Sequence, residues 1–228
     1  VGGFPEVVLS KQIELVKQYY NDIVQRDIFG RYEVRDKIAL EKIGLFLMSN
    51  SSKIVSISAL GKLYDITPGV AGNYLEYFKT AFLFFEVSQF SYSLKTQQKA
   101  LKKIYAIDTG LANAVAIKFS EDKGRALENV VLLQLKRLGW EVYYYRSTNG
   151  EVDFIVKKQD GDLKLIQVAW NLSDEKTRAR ETRGLRYAME KLKANDCLIL
   201  TFDTTETIRV EGHLIKVLPV YRWIVENK

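Results

Sequence analysis

Residues 150–170 read GEVDFIVKKQDGDLKLIQVAW: two strand-like runs joined by a polar turn, with Asp153 between Val152 and Phe154 and Gln167 between Ile166 and Val168. Side chains of a strand alternate between its two faces. Glu151, Asp153 and Ile155 are therefore expected on one face of the first run, and Gln167 and Ala169 on one face of the second. Polar groups on otherwise apolar strands mark a site at a sheet edge. Carboxylates there have two ordinary uses: they hold a cation, or they bind Arg146, Arg180 or a backbone N–H and so tie helix to sheet. Upstream, GRALENVVLLQLKRLG predicts a helix that adds Glu128 to the set.

The elements that position these residues follow from pattern. After the Glu128 helix come the strand runs WEVYYYR, EVDFIVKK and LKLIQVAW, the basic amphipathic helix DEKTRARETRGLRYAMEKLK, and the apolar strand CLILTF. That α-β-β-β-α-β order predicts a mixed sheet flanked by helices. Arg178, Arg180, Arg183 and Arg186 form a basic edge on the second helix, open to phosphates or to Glu175, Glu181 and Glu190 on the same helix.

The first half reads differently. Two helices are expected, one opening near Ser10 and one from about Glu33 to Met48. Two shorter ones follow, the first capped by Ser58 and the second by Thr67 with Pro68 at its first position. The strand runs FLFFEVSQF and KKIYAID then bracket SYSLKTQQKALKK. This is the pattern of a winged helix-turn-helix, and no acid occurs from Val87 to Ile107. Lys95, Lys99, Lys102 and Lys103 are placed near the wing tip, where they would neutralise the phosphates of duplex DNA. Thr67 and Asn73, at the start of the second short helix, would meet base edges or phosphates. The alternative is a winged helix used for protein contact.

Composition bounds the rest. The chain has 228 residues, enough for two small domains with real cores, and 47% hydrophobic content excludes general disorder. A net charge of +6 favours an anionic partner. It divides unevenly: residues 1–118 hold 15 Lys and Arg against 11 Asp and Glu, and residues 119–228 hold 19 against 17. The polar stretch FSEDKG sets the expected division into a domain of residues 1–118 and one of 119–228. One cysteine, Cys197, rules out an internal disulfide and fits the cytoplasm. His213 is the only histidine, too few for a zinc cluster. No apolar run is long enough to span a bilayer, so no membrane is expected. The opening VGGFPEVV has no methionine or signal peptide, and a fragment of something larger is expected.

Glu128, Asp153 and Gln167 in this order resemble the PD-(D/E)XK nuclease fold. Together with GGFPEVV, the winged-helix pattern, KKIYAIDTGL and Thr177-x-x-Arg180-Glu181, the whole chain resembles the C-terminal half of archaeal and bacterial AAA-type ATPases. The resemblance implies an α/β protein: a helical segment with a winged helix, then a mixed-sheet nuclease-like domain of uncertain activity. It also implies an N-terminal ATPase module, outside this chain, as partner. No ATP site is expected here, because the one Gly-Lys pair, Gly61-Lys62, lacks the rest of a P-loop.

A nuclease of this kind would hold Mg²⁺ or Mn²⁺ on Glu128 and Asp153, with Glu151 as a further ligand and Gln167 offering a neutral oxygen. The third element of the motif, (D/E)-x-K, falls here on Gln167, Val168 and Ala169, so an acid and a lysine are missing. Lys157 and Arg180 are the candidate replacements. Three readings stand: DNA binding within a larger ATPase with a degenerate nuclease-like site, an active metal-dependent endonuclease, and a protein-interaction module of the ATPase assembly. Oligomeric state and the DNA bound are open.

Overall fold

A computed structural model describes residues 2–117, 122–158, 161–210 and 212–227. The chain is mixed α/β. Its described residues form ten α-helices and nine strands in two compact units, Val1–Glu86 with Leu101–Glu121, and Val87–Ala100 with Asp122–Lys228. The expected boundary at 118/119 lies outside the described residues. Among them no helix is long and apolar enough to cross a membrane.

The first unit runs α1 (Pro5–Ser10), α2 (Glu14–Ile23), α3 (Lys37–Ser49), β1 (Lys53–Val55), α4 (Ile57–Leu63) and α5 (Pro68–Thr80). The division between units falls within β2 (Phe84–Gln89), and β3 (Lys102–Ala106) and α7 (Thr109–Val115) return to the first. Helix α2 continues as a π-helical turn over Val24–Phe29, which the sequence pattern does not reveal. Ser10 does not open α2. It ends α1, and its hydroxyl accepts from Gln12 N. Ser56, not Ser58, caps α4, accepting from Ala59 N at 3.3 Å, whereas Thr67 caps α5 through Val70 N. Apolar faces of these helices meet at Ile28, Leu40, Ile43, Leu47 and Phe78, all fully buried. Strand β3 lies between β1 and β2 in hydrogen-bonding order, antiparallel to β1.

Asp108 fastens this unit's start. One carboxylate oxygen caps α7 through Leu111 N at 2.7 Å, and the other accepts from Gly3 N at 2.6 Å. Gly2 has φ +92°, and a Cβ there would collide with the same carboxylate. The GGFP and AIDTGL stretches are thus one device separated by about half the chain, and glycine is required where backbone meets carboxylate.

In the second unit α6 (Leu94–Lys99) precedes α8 (Lys123–Arg137), β4 (Glu141–Ser147), β5 (Gly150–Lys157), β6 (Leu163–Val168), α9 (Glu175–Leu192) and β7 (Asp196–Thr201). Strands β8 (Glu206–Val210) and β9 (His213–Pro219) and helix α10 (Val220–Glu226) follow. The strands lie in the order β4-β5-β6-β7-β9-β8, parallel between β6, β7 and β9 and antiparallel elsewhere. Leu185, Ala188 and Met189 of α9 pack on Val152, Ile155, Leu165 and Ile199. The Tyr143–Tyr145 run packs in the sheet: Tyr144 is buried, and the Tyr143 ring meets Phe90 edge-on at 5.6 Å.

Strict alternation fails at Asp153. Tyr143 pairs with Ile155 but Tyr145 with Val152, so β5 spends three steps where β4 spends two. Val152 and Ile155 join the same core cluster despite their odd separation. The expected single face of Glu151, Asp153 and Ile155 is corrected accordingly: a β-bulge re-aims Asp153.

The Asp108 device carries a prediction. Asp108→Ala removes a helix cap and the tether to Gly3, and lowers stability by roughly 1–2 kcal/mol; Asp108→Asn, which keeps a cap acceptor, costs less. Urea unfolding of the two variants beside the parent measures both.

Candidate functional site

Helix α9 reaches the bulge through glycine. A Cβ on Gly150 would stand 2.6 Å from the Gly184 Cα, and one on Gly184 would stand 2.8 Å from the Glu151 carbonyl oxygen. With no Cβ on either side, helix and strand approach closely enough for Glu181 to reach β6. Asp174 caps this helix through Thr177 N at 2.8 Å. Arg178 fixes it to β8 with two bonds to Glu206, of 3.0 and 2.8 Å.

Four buried polar side chains result: Glu128, Asp153, Gln167 and Glu181, each under 9% exposed. The Asp153 carboxylate accepts from Val168 N at 3.0 Å. Gln167 accepts from Asp153 N at 3.2 Å through its oxygen and donates its amide nitrogen to Glu181 at 2.7 Å. The other Glu181 oxygen accepts from Arg180, Nε at 3.1 Å and a terminal nitrogen at 2.5 Å. The sequence placed Glu128, Asp153 and Gln167 near one another, and all three do line one cleft of about 640 Å³ together with Glu151. In the sequence Glu181 stands as a surface partner for the helix arginines and as the last residue of the Thr177-x-x-Arg180-Glu181 run. Its signal was its place beside Arg180 on a helix that also carries Gly184.

Burial pushes the Glu181 carboxyl above its ordinary range, and the nearby Asp153 charge adds to this, while the Arg180 and Gln167 hydrogen bonds pull it back. The same Glu181 bond raises Arg180. Gln167, neutral and bidirectional, can serve an N–H on one side and a carboxylate on the other. An ionised acid at this position could do only the first.

Among the described residues no group of three or more His, Cys, Asp or Glu side chains is placed to hold a metal ion. The expected set of Glu128, Asp153 and Glu151 is therefore not gathered as ligands. Asp153 is committed to a backbone N–H, and Gln167 to two partners. The donor set as it stands does not fit Mg²⁺ or Mn²⁺. Lys157, four residues along β5, is not among the residues lining the cleft, whereas Arg180 is. The cleft is also edged with Arg125, Arg146, Arg180 and Arg183; the last three are exposed, Arg180 is bonded to Glu181, and Arg125 is paired with Asp122 at 3.1 Å. Arg178 and Arg186 of the same helix are engaged with Glu206 and Glu190.

The residues expected to meet DNA in the first half are scattered. Thr67 is exposed and caps α5. Asn73 is exposed on that helix, whose lysine, Lys79, is bonded to Glu76 at 2.7 Å and Glu86 at 3.1 Å. Lys95 and Lys99 are exposed on α6. Lys102 and Lys103 are not at a tip: they belong to β3, opposite Val55 and Ile54, and Lys103 is buried. Nor is the intervening segment a bare loop. It forms α6, and Phe90 and Tyr92 settle it on the second unit, Tyr92 donating to the Leu192 carbonyl. Cys197 is buried, which pushes its thiol up to about 11, and it stands outside the cleft.

The arrangement defines a mixed α/β protein with an arginine-edged cleft over a closed network of buried polar groups. The chain belongs to the family of the domain of unknown function DUF8612, whose model matches residues 1–123. A second domain of unknown function, DUF4143, matches residues 123–223. An uncharacterized protein of Methanocaldococcus jannaschii is 35% identical, over 97% of this chain and 53% of its own length. An uncharacterized protein of Haemophilus influenzae is 27% identical, over 99% of this chain and 56% of its own. The chain thus spans about half the length of the curated relatives it matches. Among solved structures, a half-complex of Thermococcus gammatolerans McrB AAA+ hexamers with bound McrC is 12% identical, with a TM-score of 0.32 over 82% of this chain and 48% of that one. So loose an overlap carries no conclusion.

Glu181 sets a pH dependence. Its folded pKa is raised, so the folded chain binds more protons than the unfolded chain in the window above the ordinary 4.5. The stability it contributes is full below that value and is lost as pH rises through the raised one. Glu181→Gln removes this part of the slope, read as urea midpoints followed from about pH 4 to pH 8.

Proposed function

We propose that this chain is the DNA-binding C-terminal region of an AAA-type ATPase, and that its second unit is a nuclease-like fold that grips a phosphate backbone without cutting it. One observation carries the reading: where a nuclease would present open carboxylates, Asp153, Gln167 and Glu181 bond to one another and to Val168 N and Arg180, beneath a rim of four arginines. Guanidinium groups match phosphate oxygens in geometry and charge. Of the acids in the cleft, Glu181 is bonded to Gln167 and Arg180, Asp153 accepts from Val168 N, and Asp122 is paired with Arg125, while Glu128 and Glu151 line it as well. The order α8-β4-β5-β6-α9-β7 supports the PD-(D/E)XK likeness. The association with an ATPase rests on the sequence resemblance.

The first unit supports a winged helix through the order α3-β1-α4-α5-β2-β3 and the placing of β3 between β1 and β2. Its second short helix is a poor phosphate binder, since Lys79 is paired with two glutamates. That favours a second reading for this unit alone, a protein-contact module, to which Leu63 and Phe82, 59% and 73% exposed, would contribute. DNA contact then falls mainly to the cleft, and Lys95 and Lys99 are exposed cations elsewhere on the second unit.

Arg146→Ala with Arg183→Ala weakens DNA binding and lowers the slope of log affinity against log salt by about one unit per lost phosphate contact. The parent leaves supercoiled plasmid uncut in Mg²⁺ or Mn²⁺. Unchanged binding in the double variant, or plasmid cleavage that Asp153→Ala abolishes, overturns the reading.

Restoring the acid tests the network from the other side. Gln167→Glu puts a third carboxylate beside Asp153 and Glu181 and removes the donor to Glu181, costing about 2–4 kcal/mol without divalent ions. Mn²⁺ should return much of that loss in the variant and leave the parent's melting temperature unmoved.

A further inference from the structure

Just past the carboxyl ends of the parallel strands β6 and β7, Trp170 and Phe202 stack ring on ring, centroids 4.2 Å apart and planes 17° from parallel. A backbone bond from Phe202 N to the Trp170 carbonyl, 3.0 Å, holds them in register. Phe202 is 50% exposed and Trp170 half-buried, so the pair is no core contact closed on all sides. The Lys123 ammonium lies 5.4 Å from the Trp170 ring centroid. Its chain neighbours Asp122, Gly124 and Arg125 line the arginine-edged cleft, as does Val168, two residues before Trp170. Aromatic platform and arginine-edged cleft are therefore contiguous, both at the end of an α/β sheet where ligands bind outside the carboxyl ends of the strands.

Resting on the reading of the cleft as a phosphate-backbone site, we propose that this surface takes an unpaired nucleic-acid strand, a base stacking on the Trp170–Phe202 platform while the adjoining phosphates lie on the arginines. In a duplex the base faces are stacked on one another and closed to such a ring. Only a single strand, or an end or gap, offers a face together with its phosphate. Lys123, beside the Trp170 ring, adds a cation for a phosphate next to the stacked base. The edge arginines supply salt-dependent grip, and the platform supplies the preference for unpaired strand.

The test uses the full chain and fluorescence anisotropy with three labelled probes of about 16 nucleotides: oligothymidylate, oligouridylate and a DNA duplex of the same length. Single-stranded probes should bind more tightly than duplex at equal salt. Trp170→Ala and Phe202→Ala should each weaken single-strand binding by about tenfold and change duplex binding by less than about twofold. Trp170→Phe, which keeps a stacking ring, should restore most of the loss, and tryptophan quenching by oligothymidylate should be smaller in this variant than in the parent. Equal loss on both single strands places the contact on bases and phosphates; loss confined to oligouridylate makes RNA the ligand, and either supports an unpaired strand. If duplex binds the parent while single strands bind no better and neither aromatic variant matters, the platform inference falls and the DNA-binding reading stands. If the parent binds none of the three probes, both fall. Should Trp170→Ala fail to fold, Phe202→Ala and the quenching comparison decide.

Discussion

A carboxylate taken out of water must find compensation, and in this chain the second unit is arranged around that demand at Glu181. Its charge is opposed by burial and by Asp153, and sustained by Arg180 at the surface and the Gln167 amide beneath it. The Gln167 amide could not reach it without the glycine contact between α9 and β5, where any Cβ would force helix from strand. Nor would Gln167 have an N–H to receive if β5 did not bulge at Asp153. Backbone irregularity, two glycines and a neutral amide are thus parts of one solution to one desolvation problem.

The same solution decides what chemistry the site can do. A buried network in which each member serves the next is stable because its donors and acceptors match, and every oxygen lone pair given to it is one fewer for a divalent ion. Lone-pair supply and network closure compete for the same atoms. The replacement of an acid by Gln167 tips that competition, since an amide donates where a carboxylate cannot. The missing lysine, Ala169, follows a related logic: this alanine is buried in the apolar cluster with Val152, Ile155 and Leu185, where an ammonium would lose its water. What remains outside the network on the rim includes the exposed Arg146 and Arg183.

Much of this was legible in residue order, and the exceptions have physical causes. Helix and strand identities along 123–201 follow from apolar periodicity, because each element buries one continuous face. The cap at Thr67 followed from Pro68, whose fixed φ leaves little choice of helix start. The bulge was not legible, since alternation assumes that every residue advances the pleat, and nothing in VDFI announces an extra one. The role of Glu181 was hidden for a related reason: a glutamate between arginines on a helix looks solvated, and only the Gly150–Gly184 approach, a tertiary fact, turns it inward. Lys103 misled in the opposite sense. A lysine in an acid-free run suggests a surface, yet its position in β3, opposite Ile54, buries it.

The two glycine devices share a principle that reaches beyond either unit. At Gly2 and Gly3 a carboxylate meets bare backbone, and at Gly150 and Gly184 backbone meets backbone. In both places residues far apart in sequence are brought closer than side chains allow, and an acidic group depends on the result: Asp108 in the first unit, Glu181 in the second. Asp108 gives each of its oxygens to a backbone N–H group. Glu181 spends its oxygens on side chains, one of them Arg180, which is 68% exposed and borders the cleft. An arriving phosphate would compete with Glu181 for the Arg180 guanidinium. Any release of that bond would leave the buried carboxylate with Gln167 alone and raise its proton affinity further. The buried network and the surface that would bind an anion are therefore coupled through one arginine.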